Sequence, residues 1–168
     1  MQSGYRFRCY PTAAQQQVLL QWMGCQRFIY NAKVSEDRYY RSFARKSLAL
    51  AGQFAPIDQQ YSQFKTSDTE WLSDVPSQLL RNGAVLWKQA YGRFFQKLGG
   101  RPVFKRKSGK QSVWITSELF AFQSVADQKT GEITGWKLSV GTKKHPLGQL
   151  ACNAHRSFQE APASIHIS

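Results

Sequence analysis

The hydrophobic pattern changes its period once, directly after Pro11. Residues 5–10 alternate between aromatic or small side chains and arginine, which is the two-residue period of a strand with one face packed. Thr12 then occupies a typical N-cap position, and apolar residues follow at helical steps of three and four. We therefore predict a short strand and then a helix that Gly24 breaks or bends, with a second helical segment over about residues 25–44.

The clearest helical pattern begins at Pro76, which suits a first helical turn. Ser77, Gln78 and Arg81 lie in its first turns, away from the apolar stripe. Gly83 costs about 1 kcal/mol relative to alanine inside a helix, so we expect another backbone to approach closely there. The predicted core stripe of this helix consists of Leu80, Ala84, Trp87, Tyr91, Phe94 and Leu98. Between the helical regions the pattern is irregular, with one short helix predicted around residues 57–64.

The last third of the chain has the pattern of β-structure. Alternating or β-branched segments predict strands at residues 112–116, 119–125, 135–141 and 163–168. Residues 129–132 are typical of a hairpin turn, and Pro146 with Gly148 predicts another turn. Helices followed by strands indicate an α+β fold.

Composition adds a strong charge bias to this picture. The chain has 168 residues and a formal net charge of +13, spread along its length. A folded, aromatic-rich and strongly basic domain most often binds nucleic acid, and less often an acidic membrane or protein.

The cysteines and the lack of long apolar segments indicate the compartment. The chain has an odd number of cysteines at wide spacing, Cys9, Cys25 and Cys152, so we interpret them as reduced, buried residues in a reducing cytosol. No signal-peptide core or membrane-spanning stretch is present in the sequence, which predicts a soluble, cytoplasmic protein.

Residues 99–112 concentrate positive charge in a segment that cannot be helical at its start. Gly99, Gly100 and Pro102 end the preceding helix, and no acidic residue follows within the segment. A solvated loop and a polyanion-binding loop both remain open on this evidence alone. The cations predicted to meet a nucleic-acid backbone here are Arg101, Lys105, Arg106, Lys107 and Lys110.

Further cations fall on the first strand and the first helical region. Arg6 and Arg8 share one face of the strand and either face solvent or follow a phosphate backbone. Arg27, Arg38 and Arg41 belong to a helix that is either an ordinary amphipathic core helix or one whose basic face binds phosphates.

Catalytic signals are weak by comparison. The ten acidic residues do not form the clustered carboxylates of two-metal phosphoryl chemistry. His145, His155 and His166 have no metal-ligand spacing, and the common nucleotide-binding and nucleophile motifs are absent. We therefore predict binding, with no catalytic and no metal-ligating residues in this chain.

Five segments in order resemble the N-terminal half of TnpB proteins, which are transposon-encoded, RNA-guided DNA endonucleases ancestral to the type V CRISPR effectors. They are residues 5–12, 24–31, 71–78, 94–95 and 100–112. The resemblance covers roughly residues 4–168.

This resemblance implies a small, OB-like β-barrel, the wedge domain, interrupted by a helical recognition lobe. Residues 1–11 would give the first barrel strand, 12–100 the lobe, and 101–168 the basic loop with the remaining strands. Such a unit holds a guide RNA derived from the transposon end and reads a short motif beside the target in double-stranded DNA. The positions that correspond to motif reading are Ser77, Gln78, Arg81, Thr116 and Ser117.

The main difference from the family pattern concerns the cleavage of DNA. The RuvC-like nuclease domain and zinc ribbon of the family lie beyond this region, so no cofactor is expected here, and Mg²⁺ and Zn²⁺ belong to that other half. The last segment stops in mid-pattern, so we expect a longer natural chain or a separate nuclease partner. The resemblance implies a prokaryotic, nucleoid-associated protein that does not contact membranes. A nuclease-lacking relative acting as a regulator and a generic basic RNA- or DNA-binding domain are the alternatives.

Overall fold

A computed structural model describes residues 3–153 and 160–168 of the chain. These residues form an α+β fold in which three α-helices precede most of two antiparallel sheets. Within the described ranges, no helix has the length and apolar character needed to cross a bilayer.

The N-terminal strand is shorter, and the first helix longer, than predicted. Strand β1 spans only Arg8–Tyr10, and helix α1 runs without a break over Ala13–Tyr39. Thr12 and Gln15 form a reciprocal capping box that starts α1. The break predicted at Gly24 is wrong, because the buried residues on either side of it hold the helix against the core.

The segment after α1 contains several short helical pieces. A π-helical turn, Tyr40–Ala44, leads into α2 at Arg45–Leu50. Two 3₁₀ helices follow at Ser62–Phe64 and Ser67–Asp74. The helix predicted around residues 57–64 is thus reduced to a single 3₁₀ turn.

Helix α3 spans Ser77–Phe95 and packs against α1. Its predicted start after Pro76 and four of its predicted core residues are confirmed: Leu80, Ala84, Trp87 and Tyr91 are buried. The prediction for Leu98 is wrong, because α3 has already ended and Leu98 is 63% exposed. The close approach predicted at Gly83 is confirmed, since a Cβ there would lie 2.7 Å from the carbonyl oxygen of Gln26 on α1.

The remaining strands form two sheets. Their bounds are β2 Val113–Thr116, β3 Phe120–Ala126, β4 Ile133–Gly141, β5 Pro146–Asn153 and β6 Ser164–Ile167. One sheet has the order β1-β5-β4-β3, and the other pairs β2 with β6. Within the described residues these sheets do not close into the predicted barrel. The turn predicted at Pro146 and Gly148 is also misplaced: both residues lie in β5, and the turn precedes them.

The cysteine prediction is wrong for two of the three residues. Cys9 and Cys152 stand opposite each other in the β1–β5 register and form a disulfide. Their separation of 143 residues hides this pairing in the sequence. Cys25 is buried and free, and burial together with Asp74 raises its pKa to about 11.

Helices α1 and α3 and both sheets share one hydrophobic core. Trp22 and Ile29 of α1 meet Leu79 of α3, Ile115 of β2 and Leu150 of β5 in a single cluster. Buried Gln26 crosses this junction: its amide nitrogen donates to the carbonyl oxygens of Leu79 (3.0 Å) and Trp114 (2.9 Å), and its oxygen accepts from the backbone N–H of Trp114 (2.9 Å). The relative positions of α1, α3 and β2 are therefore fixed by packing and by three hydrogen bonds of one buried amide.

Candidate nucleic-acid interface

The basic loop, residues 99–112, lies lengthwise along α1. Its centre is attached to Asn31, whose amide donates to the carbonyl oxygen of Lys105 (2.9 Å) and accepts from the backbone N–H of Lys105 (2.8 Å). Near the end of the loop, Gln111 accepts a hydrogen bond from the Arg27 guanidinium and donates to the carbonyl oxygen of Gly109 (2.9 Å). Side chains of α1 thus replace the regular backbone pairing that this loop lacks.

Aromatic rings position three of the predicted cations. The Lys105 ammonium lies 4.2 Å from the centroid of the Tyr30 ring, and the Arg38 guanidinium lies 4.3 Å from that of Phe104. Arg101 is 4.9 Å from the ring of Phe94. Cation–π contacts of this kind contribute about 0.5–1 kcal/mol at exposed sites. Burial of its ammonium end lowers the pKa of Lys105, although much of the residue faces solvent.

These contacts place one stripe of positive charge on the molecule. Arg27, Asn31 and Arg38 occupy the same side of α1, and they contact the loop at Gln111, Lys105 and Phe104 in turn. We call the resulting surface the basic stripe: the side chains of Arg27 and Arg38 together with the loop cations. The predicted cations Arg106, Lys107 and Lys110 are exposed on it.

Three other residues predicted to contact a nucleic-acid backbone are not part of the basic stripe. Arg6 precedes β1 and Arg8 lies within it, and both are exposed. Arg41 is half-buried and donates to the carboxylate of Asp37 (2.9 Å), which also accepts from the Tyr91 hydroxyl (2.6 Å). Arg41 therefore ties α1 to α3, and its charge is balanced within the protein.

The five predicted motif-reading residues fall into two neighbouring places. Ser77 is exposed and Gln78 half-buried in the first turn of α3. Arg81, one turn later, donates to the hydroxyl of Thr116 at the end of β2 (3.2 Å). Ser117 follows directly and is exposed. The structure thus brings Arg81 and Thr116 into contact, although 35 residues separate them in the chain.

Glu118 is a member of this cluster that the sequence did not indicate. Its carboxylate accepts from Arg81 at 2.8 Å. Hydrogen bonds from the Thr116 hydroxyl, from its own backbone N–H and from Arg81 lower the pKa of Glu118 to about 2. Asn82 completes the cluster by donating to the Thr116 hydroxyl (3.1 Å). The guanidinium of Arg81 is therefore held in one orientation at the surface.

Other supporting residues also escaped sequence reasoning. Asn31 and Gln111 carry no motif, and only the folded backbone shows what they bind. Gln26 did carry a signal: a glutamine on an apolar helical stripe requires hydrogen-bond partners when it is buried. His145 is half-buried and His166 stacks on Trp114, whereas His155 lies outside the described residues.

Comparison with known proteins adds two kinds of similarity. A family model described as a helix-turn-helix domain matches residues 1–42. Over 103 residues, or 61% of this chain, the sequence is 25% identical to a putative RNA-guided DNA endonuclease, InsQ, of Escherichia coli (strain K12), of which the match covers 25%. Over 121 residues, or 71% of the chain, it is 27% identical to a putative RNA-guided DNA endonuclease of Streptomyces pristinaespiralis, of which the match covers 29%.

These matches agree with the resemblance of the sequence to TnpB proteins. The chain spans about a quarter of the length of these curated relatives. In this chain the described part of residues 1–42 consists of β1 and one continuous helix with the first π-helical residues, and not of two helices joined by a turn. The long α1 instead supplies one side of the basic stripe.

Proposed function

We propose that this chain is the nucleic-acid-binding part of a TnpB-like RNA-guided DNA endonuclease. In this proposal it binds a guide RNA derived from the transposon end and reads a short DNA motif beside the target. The observation that supports this proposal most directly is the basic stripe. There Asn31 attaches the loop to α1, so that cations from two elements share one surface.

The charge distribution supports a polyanionic partner. The loop contributes five cations and no acid. Nucleic acids present a phosphate at each nucleotide, and binding them releases counterions, which favours a continuous row of cations over scattered ones. Exposed aromatic residues beside the stripe, such as Phe104 at 44% exposure, suit stacking on unpaired RNA bases.

The Arg81 cluster supports motif reading. An arginine can donate two parallel hydrogen bonds to the major-groove edge of guanine, provided that its fork is already oriented. Glu118 and Thr116 orient Arg81, and the polar residues Ser77 and Gln78 lie one turn away at the start of α3. Phosphate contacts from the basic stripe would position the duplex, while this cluster would supply specificity.

The two sheets fit the proposed wedge unit. The first strand pairs with a strand from the C-terminal third, as the family resemblance implied. We propose that the four-stranded sheet and the β2–β6 pair together act as this wedge, with α1 and α3 as the adjoining lobe.

A binding experiment tests the proposal. The purified chain is titrated with a structured transposon-end RNA and with an unrelated RNA of equal length, at about 150 mM salt, where non-specific phosphate contacts are weakened. We expect tighter binding to the transposon-end RNA. Equal affinities would favour a generic basic binding domain.

Two sets of variants separate the proposed roles. Replacing Lys105, Arg106 and Lys107 with alanine should weaken binding to all nucleic acids and flatten the salt dependence. Replacing Gln78 or Arg81 with alanine should instead change which flanking DNA motif is accepted in a selection from randomised duplexes. The division of roles would be wrong if both sets produced the same uniform loss.

A further inference from the structure

A small cavity lies where α1, the basic loop and the β2–β6 sheet meet. Its volume is about 100 Å³. Arg27 enters it from α1, Lys105 and Lys110 from the loop, Trp114 from β2 and His166 from β6.

The chemistry of its walls suits an anion. Three of its lining residues, Arg27, Lys105 and Lys110, are basic, and none of the described residues that line the cavity is acidic. Ser112 adds a hydroxyl, whereas both amide N–H donors of Gln26 already donate to backbone carbonyl oxygens. Burial lowers the pKa of His166, and the nearby Lys105 and Lys110 lower it further, while no carboxylate is present among the described lining residues.

The walls are held in place before any ligand arrives. Trp114 and His166 stand opposite each other in the β2–β6 register, and their rings stack with centroids 6.2 Å apart and an interplanar angle of 17°. Lys105 is fixed at its backbone by Asn31 and at its ammonium by Tyr30. Such preorganisation lowers the entropic cost of binding.

Size restricts what can enter. Sites for drug-sized ligands measure about 300–1,000 Å³, so a complete nucleotide does not fit. A phosphate group is compact, anionic and rich in acceptors, and it matches the donors on these walls.

We propose that this cavity seats one phosphodiester group of a bound nucleic-acid strand. The inference rests on the proposed nucleic-acid binding and deepens it: one phosphate is held at a defined point, while the rest of the basic stripe contacts the backbone less specifically. The strand must bend sharply or be single-stranded there, so that one phosphate can leave the line of its neighbours.

The first test uses inorganic phosphate and monitors the His166 and Trp114 side chains by NMR. Phosphate, compared with chloride at equal ionic strength, should shift these two resonances before others on the basic surface. The shifts should disappear in Lys110→Gln and persist in Lys144→Gln, which removes one exposed charge from the turn between β4 and β5. Shifts spread evenly over the surface, or no shift at all, would overturn the inference.

The second test uses single-stranded RNA and DNA of one sequence with the same variants. Because one charged hydrogen bond is removed, Lys110→Gln should weaken binding about tenfold more than Lys144→Gln. A loss confined to RNA would assign the phosphate to RNA, and an equal loss would assign it to either strand type. If the wild-type protein binds tightly but both variants lose the same amount of affinity, the cavity assignment fails while the proposed function stands. If the wild-type protein binds neither RNA nor DNA, the cavity assignment and the proposed function both fail.

Discussion

The contact between α1 and α3 at Gly83 gives a sharp test of how the fold is held. An alanine Cβ at this position would lie 2.7 Å from the Gln26 carbonyl oxygen and 3.2 Å from the Cβ of Ile29. An unstrained carbon–oxygen contact is about 3.3–3.6 Å, so the two helices would have to separate by roughly 0.6 Å or more. The obstructing atom belongs to helical backbone, which cannot rotate away as a flexible side chain can.

Gly92 supplies the matched control within the same helix. A Cβ on Gly92 meets no other atom within 4 Å, so Gly92→Ala retains the gain in helix propensity of about 1 kcal/mol without a clash. The same gain applies to Gly83→Ala, and the difference between the two variants therefore isolates the steric cost. Overpacking of a close contact costs about 1–3 kcal/mol, and a rigid backbone obstacle places this contact near 3 kcal/mol.

Urea denaturation of both variants measures this difference. We expect Gly83→Ala to be less stable than Gly92→Ala by about 3 kcal/mol, with melting temperatures separated by roughly 6–12 °C for a chain of this size. Stabilities within about 0.5 kcal/mol of each other would refute the close approach of α1 and α3.

Three further predictions concern single contacts. Asn31→Ala removes both hydrogen bonds to the backbone of Lys105 without changing charge, so RNA affinity measured by fluorescence anisotropy should fall about tenfold. Thr116→Val removes the hydroxyl that lowers the pKa of Glu118, so that pKa should rise from about 2 toward its ordinary value of 4.5 in an NMR titration. Reducing the disulfide formed by Cys9 should lower the free energy of unfolding by about 2–4 kcal/mol in denaturant titrations.

Each of these has an outcome that would contradict it. Gln21→Ala, on an exposed position of α1, is the control for Asn31→Ala, and equal RNA affinities would argue against the attachment of the loop. Because folding lowers the pKa of Glu118, its contribution to stability is complete above pH 4.5 and is lost as the pH falls toward 2. A titration midpoint of Glu118 near pH 4.5 in the wild-type protein would contradict the hydrogen bonds that Arg81 and Thr116 make to it. Labelling of all three cysteines in native, oxidised protein would disprove the disulfide.

Local patterns in the sequence determined much of the fold. The stripe on α3 and its start at Pro76 follow from helical spacing and from proline geometry, and both are confirmed. Gly24 misled the prediction because burial of neighbouring residues outweighs a penalty of about 1 kcal/mol. Strand β5 was not predicted, because Pro146 and Gly148 are typical of turns, although both are tolerated in a strand.

Less of the candidate site than of the fold could be predicted from the sequence. Positive charge identified the loop, but its placement depends on Asn31, which lies 74 residues before Lys105. Glu118 and the cysteine pair depend likewise on partners that only the topology brings together. Spacing rules describe neighbours within one element, and these contacts join elements that are distant along the chain.

Ultraviolet cross-linking of the RNA that copurifies with the chain, followed by mass spectrometry, tests most directly whether one charged surface binds a guide transcript. Cross-links should concentrate in residues 99–112 and on the side of α1 that carries Arg27 and Arg38, and the recovered RNA should map to a transposon end. Cross-links spread evenly over the basic residues, including Lys137 on β4 and Lys144 in the turn that follows it, would contradict the proposal.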